Sequence, residues 1–350
     1  MANIDSLRRH LSQGVVIPAC PLALNSKRRL DLRRQRALFR YYLAAGVGGV
    51  AVGVHTTQFA IHDPKVGLYQ PLLEIAAEEV GRAETRFALI AGICGTTRQA
   101  VAEAELARQR GCGAGLLSLA AHPRAKEDQL ITHCKAVAKI IPLFGFYLQP
   151  SAGGRVLSYG FWRRFAEIDS VVAIKIAPFN RYQTLDVIRA VVEAGRDDIA
   201  LYTGNDDNIV LDLLTPFSFE HAGKKVVRRI VGGLLGHWAV WTRKAVELHA
   251  HCRRLALANA PIPQAVLRQA VEITDANAAF FDAANGYAGC IPGLHEVLRR
   301  QGLFEGTWCL NPNETLSPRQ RQEIDRVYRA YPHLNDNAFV SRHRGDWMND

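Results

Sequence analysis

The sequence has no run of 18 or more apolar residues and so offers no segment that would cross a membrane as a helix. Its first residues, MANIDSLRRHLSQG, lack the apolar core of a secretory signal. None of the seven cysteines (Cys20, Cys94, Cys112, Cys134, Cys252, Cys290 and Cys309) stands in a C-x-x-C pair, and their number is odd. A disulfide framework and a thiol redox motif are thereby excluded, and reduced, mostly buried thiols of a cytoplasmic protein are expected. No H-x-H or H-E-x-x-H spacing accompanies His55, His62, His122 or His237, so these read as loop or core histidines and no metal is expected. The glycines of AGVGGVAVG precede and enter a strand, whereas a dinucleotide fingerprint opens a helix after one. Low-complexity segments and internal repeats, beyond an alternation of strand and helix patterns, are absent.

What is present is a 350-residue chain, 48% hydrophobic, with ample apolar surface for a large core. Its formal net charge of +10 gathers in short clusters such as Arg28-Arg29, Arg33-Arg34-Gln35-Arg36 and Arg299-Arg300. No nucleic-acid motif accompanies them, so they read as solvated helix faces, compatible with mild steering of a carboxylate substrate.

Short β-rich apolar runs alternate with helical patterns as far as about residue 240. They predict strands at 15–18, 50–54, 87–91, 115–118, 142–147, 171–176, 199–203 and 229–233. Asp31 and Thr97 are placed to cap helices that stop at Gly46 and Gly111; further helices are expected over 69–80, 127–140, 159–168, 182–194 and 209–214. The strands are too uniformly apolar for a sheet with one wet face. The expected fold is a (β/α)8 barrel over 1–238, followed by a helical region over 239–340 packed on it and a loose polar tail over 341–350.

Functional residues of such a barrel lie at the C-terminal ends of its strands. Reading those ends gives Thr56, Thr57, Ser118, Tyr147, Lys175, Gly204 and Asn205. Lys175 sits inside VVAIKIAP. If Ile174 and Ile176 face the helices, Lys175 faces the interior, where loss of water favours the neutral amine that Schiff-base chemistry needs. The alternative is a strand-end lysine that reaches solvent or pairs with a carboxylate. Tyr147, one strand earlier, is either a proton relay for that amine or a packed tyrosine with a bonded hydroxyl. The Val-His-Thr-Thr-Gln turn offers hydroxyls and successive N–H groups to a carboxylate, or is an ordinary polar loop.

Together, VIPACPL, AGVGGVAVGVHTTQF, LIAGICGTT, GFYLQPSAGG, AIKIAPFN, LYTGNDDNIV and the later NGYAGCIPGLHEVLRRQGLFEG resemble, in order, the dihydrodipicolinate synthase and N-acetylneuraminate lyase family of class I aldolases. The resemblance implies a lyase acting on a pyruvate-type 2-oxo acid. Lys175 would form the Schiff base, Thr56 and Thr57 hold the carboxylate and Tyr147 move protons, while Gly204, Asp206 and Asp207 stand near the positions of the family's strand-seven S-G-D-D motif; Gly204 and Asn205, at that strand end, are expected to line the substrate. It implies no cofactor, and a homodimer or homotetramer. A dehydratase or hydratase of 2-oxo sugar acids using the same lysine, or a non-catalytic ligand-binding barrel, are the other readings. The sequence also departs from the family. Gln58-Phe59 replaces a Gly-Glu pair after the threonines. Ala152 stands where the synthase has an arginine, with Arg155 out of register. Ser118–His122 replaces paired tyrosines.

Overall fold

The computed structural model describes residues 4–83 and 86–349. Among them the strands are β1 (Val16–Pro18), β2 (Gly49–Val52), β3 (Ala88–Ile93), β4 (Ala114–Leu117), β5 (Leu143–Leu148), β6 (Val171–Ala177), β7 (Ala200–Thr203), β8 (Phe217–His221), β9 (Lys224–Arg228) and β10 (Gly232–Leu235). Eight of them form one sheet in the order β1-β10-β7-β6-β5-β4-β3-β2, and a parallel bridge between Ala19 and Ala51 joins the chain beyond β1 to β2. Helices alternate with these strands: α1 (Ile4–Ser12), α2 (Leu32–Ala45), α3 (Tyr69–Val80), α4 (Thr97–Gln109), α5 (Glu127–Ala138), α6 (Tyr159–Ala166), α7 (Arg181–Glu193) and α8 (Ile209–Leu214). This is the (β/α)8 barrel fold. After β10 come α9 (Thr242–Leu257), α10 (Gln264–Phe281), α11 (Cys290–Arg300), α12 (Gln320–Ala330) and α13 (Asn337–Trp347).

The chain divides into two compact units. The first comprises Met1–Val15, Ala88–Leu234 and Cys252–Pro261. Within it β3 to β7 run side by side in parallel, every residue of β6 buried. Phe144 meets Tyr202 edge-on at 5.3 Å, and the Tyr202 hydroxyl donates to the Leu11 carbonyl of α1 at 2.8 Å. On the other face of β5, a methyl on Gly145 would lie 2.7 Å from the Phe165 ring of α6, so only glycine allows that helix so close.

The second unit comprises Val16–Phe87, Leu235–His251 and Ile262–Asp350. The Asp31 side chain accepts from Arg34 N at 3.1 Å and starts α2; Gly46, at φ 87°, ends it. Glu79 of α3 is buried and charge-paired to Arg36 and Arg40 of α2 at 2.8 and 2.9 Å, which holds its carboxyl below the usual carboxylate range. Buried Asp336 accepts from the Tyr41 hydroxyl, Gln301 Nε2 and Arg243 N.

Two expectations are corrected here. The eighth barrel strand is not 229–233 but β10, and an antiparallel hairpin, β8–β9, precedes it. Arg228 and Arg229 serve carbonyls at neighbouring element ends: Arg228 donates to Ile199 O at 2.7 Å and Arg229 to Leu214 O at 2.9 Å. Nor is 341–350 a loose tail, because residues 341–347 belong to α13. Val340 and Trp347, seven apart, share one helical face and are buried, Trp347 packing against Tyr41 at 5.5 Å. The polar residues between them had hidden that face.

Candidate active site

The site is built on β5, β6 and β7 of the first unit. Strand alternation sets Lys175 opposite in direction to Ile174 and Ile176, and the ladders pair it with Phe146 on β5 and Tyr202 on β7. Only 7% of Lys175 is exposed, and its Nζ lies over the face of the Phe146 ring, 4.6 Å from the centroid. Burial pulls the ammonium down to about 8; the negative charge of Asp206 opposes that fall.

Gly204 makes room for the lysine. A methyl there would stand 2.6 Å from Lys175 Cε and 2.7 Å from Ala177 Cβ, so the aliphatic stem lies on bare backbone. The turn that carries Gly204 is tied down from below. Gly204 N donates to Ile176 O at 2.7 Å, and the Thr203 hydroxyl donates to Asp212 Oδ2 at 2.6 Å. Asn205 is fully buried. Its Nδ2 donates to Asp212 Oδ2 at 3.0 Å and Thr184 Oγ1 at 3.3 Å, and its Oδ1 accepts from Phe179 N at 3.0 Å. The whole amide of Asn205 is thus engaged within the protein, joining the turns after β6 and β7.

Tyr147 is not beside the lysine. It pairs with Ile176, packs on Trp162 of α6 at 5.3 Å, and its hydroxyl both donates to Leu157 O and accepts from Leu157 N, each at 3.1 Å. Burial raises the phenol above its ordinary value. The cause of the turn-away is a register shift. Leu143 pairs with Val171, but Phe144 pairs with Ala173, so β6 holds one extra residue there. From that step onward Phe146, not Tyr147, is the neighbour of Lys175. Both residues suit a strand interior, so the sequence carries no signal for the shift.

In the second unit, Thr56 and Thr57 are buried in a single 3-10 turn, His55–Thr57. The Thr56 hydroxyl donates to Ala19 O and that of Thr57 to Cys20 O, both at 2.7 Å. Thr57 Oγ1 also accepts from Gly53 N and Val54 N, at 3.1 and 3.2 Å. Both hydroxyl protons are thus held by backbone carbonyls. Gln58, at φ 70°, accepts from Leu310 N through its Oε1 at 2.6 Å. His237 is buried beside Asn277 Nδ2, 3.4 Å from its Nδ1, and burial pushes it down to about 4. In the first unit, the Arg155 guanidinium donates to the His122 carbonyl. Among the described residues, no three His, Cys, Asp or Glu side chains form a metal-binding group, and no helix is long and apolar enough to cross a membrane.

Fold and buried amine together define a class: (β/α)8 barrels with a lysine lodged in the interior of the sixth strand. The chain belongs to the dihydrodipicolinate synthetase family, whose model matches residues 12–216. It is similar to the 4-hydroxy-tetrahydrodipicolinate synthases of Aromatoleum aromaticum (31% identical over 179 residues, 51% of this chain and 58% of that one) and Azoarcus sp. (29% over 189 residues, 53% and 61%). The match thus spans about three fifths of the length of these relatives. In fold it is similar to a dihydrodipicolinate synthase from Acinetobacter baumannii complexed with pyruvate, with TM-score 0.73, 18% identity, and coverage of 90% of this chain and 98% of that one. A prophage protein of the dihydrodipicolinic acid synthase family from E. coli K12, also in complex with pyruvate, gives TM-score 0.72 and 18% identity over 93% and 99%.

Replacing Gly204 with alanine is expected to keep the fold at a cost of about 1–3 kcal/mol while displacing the Lys175 stem. Reaction of that lysine with an amine-directed reagent near pH 8 should then change, read by peptide mass spectrometry. Tyr147→Phe strands both polar groups of Leu157 and should lower unfolding stability by about 1–3 kcal/mol. It should leave Lys175 reactivity unchanged, because the hydroxyl faces α6; a loss of reactivity without a loss of stability would contradict that placement.

Proposed function

We propose that the chain is a lyase of the class I aldolase type that forms a Schiff base between Lys175 and a pyruvate-type 2-oxo acid. The observation that carries this reading is the amine itself: a lysine buried mid-strand in a barrel, poised near pH 8, with its stem on Gly204. The neutral Nζ adds to the electrophilic carbonyl carbon of the acid. Loss of water from the carbinolamine leaves an iminium, which withdraws electrons from the adjacent carbon and stabilises the carbanion of C–C cleavage or formation. The family, and the synthase names borne by the relatives, support the same chemistry.

The second substrate is a different matter. The resemblance gives the synthase an arginine for the carboxylate of aspartate semialdehyde, where this chain has Ala152 in the short turn after β5. Arg155, the nearest candidate replacement, is engaged with the His122 carbonyl. A charge-assisted contact of this kind is worth about 1.5–3 kcal/mol, so its loss costs about 10-fold to 100-fold in catalytic efficiency.

Borohydride reduction in the presence of pyruvate should add the mass of the reduced adduct to the Lys175 peptide, and Lys175→Ala should abolish it. Because the neutral amine reacts, the rate of trapping should climb as pH rises through about 8 and level off above it. Labelling of another lysine, with Lys175→Ala unimpaired, would remove the basis of the proposal. With pyruvate and aspartate semialdehyde together, product formation should be at least 10-fold less efficient than in a synthase carrying the arginine, measured through a coupled reductase.

A further inference from the structure

Two basic clusters of the sequence, Arg33-Arg34 and Arg299-Arg300, play no part in the chemistry at Lys175. In the second unit members of both meet. A cavity of about 620 Å3 opens where the first turn of α2, the end of α11 with the turn that follows it, and the last turn of α13 converge. Arg33 and Arg34 line it from α2, Arg299 from α11 and Arg344 from α13. Arg33, Arg299 and Arg344 are exposed, so the recess is open to a solute.

The guanidinium groups are fixed largely by neutral oxygens. Arg33 Nε donates to Met348 O at 2.8 Å, Arg34 Nη1 to Gly302 O and Leu303 O at 3.0 and 3.3 Å, and Arg344 Nη1 to Gln301 O at 3.4 Å. A carbonyl holds a guanidinium in place without cancelling its charge. Asp31 does balance Arg34, 3.3 Å from its Nε, and the buried Glu296 accepts from Arg299 Nε and Nη2 at 2.7 and 2.9 Å. Among the described residues, Arg33 and Arg344 have no carboxylate partner, and Glu305 lines the recess but pairs with none of the four arginines. A methyl on Gly302 would run into the Arg344 guanidinium, so bare backbone gives that group its seat.

Two like charges held in one recess repel, and an anion between them turns that repulsion into attraction. Donors are present to receive it. Both Nη groups of Arg33, Nε and Nη2 of Arg344, Nη2 of Arg34 and Nη1 of Arg299 make no hydrogen bond among the described residues. We propose that this recess binds a small molecule through its phosphate group. A phosphate dianion presents oxygens in several directions, so guanidinium groups of different elements can grip it at once; a carboxylate is fully met by one. The cavity falls within the range of about 300–1,000 Å3 of small-molecule sites, which leaves room for more than the phosphate, and Phe304 and Met348 give the rest of the molecule an apolar wall.

The test is calorimetric titration of the full-length protein with inorganic phosphate, pyrophosphate and acetate at constant ionic strength. Phosphate and pyrophosphate should bind at millimolar concentration or below, and acetate at least about 10-fold more weakly. Arg33→Ala and Arg344→Ala should each weaken phosphate binding about 10-fold or more, and Arg33→Lys less, since it keeps the charge and loses the fork. Glu305→Gln removes a negative charge from the wall and should tighten binding, a gain that a loosened fold would not give. Lys175→Ala should bind phosphate as wild type does. Absence of binding by wild type at millimolar phosphate would overturn the proposal. So would phosphate bound equally by wild type and a folded Arg33→Ala/Arg344→Ala double variant, or acetate bound as tightly as phosphate. Phosphate binding lost in Lys175→Ala would place the anion at that lysine and overturn it as well.

Discussion

An ammonium ion loses more on leaving water than any single neighbour returns, so an amine forced into a protein interior is pushed toward its neutral form. The strand pattern VVAIKIA does this to Lys175: alternation fixes its direction, and the buried residues on either side keep the strand from shifting to free it. Two features favour the cation in return, the face of the Phe146 ring and the carboxylate of Asp206. Neither alone balances the loss of water. The result is a lysine near 8, which exists in both forms close to neutrality.

A poised amine is useful only if its reach is fixed, and the residues around it are best understood as limiting where Nζ can go. Gly204 gives the stem a flat bed, and every hydrogen bond of the turn beneath it acts to keep that bed in place. Asp212 is the anchor. It is buried and accepts from Thr203, Asn205 and Asn208, while Arg181 neutralises it. A buried, fully partnered carboxylate of this kind resists local movement, because displacing any partner leaves a desolvated charge exposed to an apolar surround.

The barrel was legible in the sequence because each barrel strand is an apolar run bounded by turn residues, and several helices begin or end at a residue with a specific capping chemistry. Asp31, Gly46 and the spacing of β3 to β7 illustrate this. The helix α1 escaped because Ile4–Ser12 buries only Leu7, His10 and Leu11, too few for a clear period. The hairpin β8–β9 escaped because its strands are half-polar and rest on one side only. Lys175 and Gly204 were readable, one as a charge in an apolar strand and the other as a glycine at a strand end. Phe146 was not. Nothing local distinguishes a phenylalanine that faces the barrel interior from one that faces a helix.

The extra residue in β6 is where sequence likeness and structure part company. Counted from the Leu143–Val171 pair without it, Tyr147 would fall beside Lys175; with it, Phe146 does. A single-residue offset between parallel neighbours turns over every side chain beyond it, so motif spacing alone does not say which side chain reaches the amine. The change is not a neutral exchange. It removes a proton-bearing hydroxyl from the neighbourhood of Nζ and substitutes a ring that stabilises the cation and excludes water.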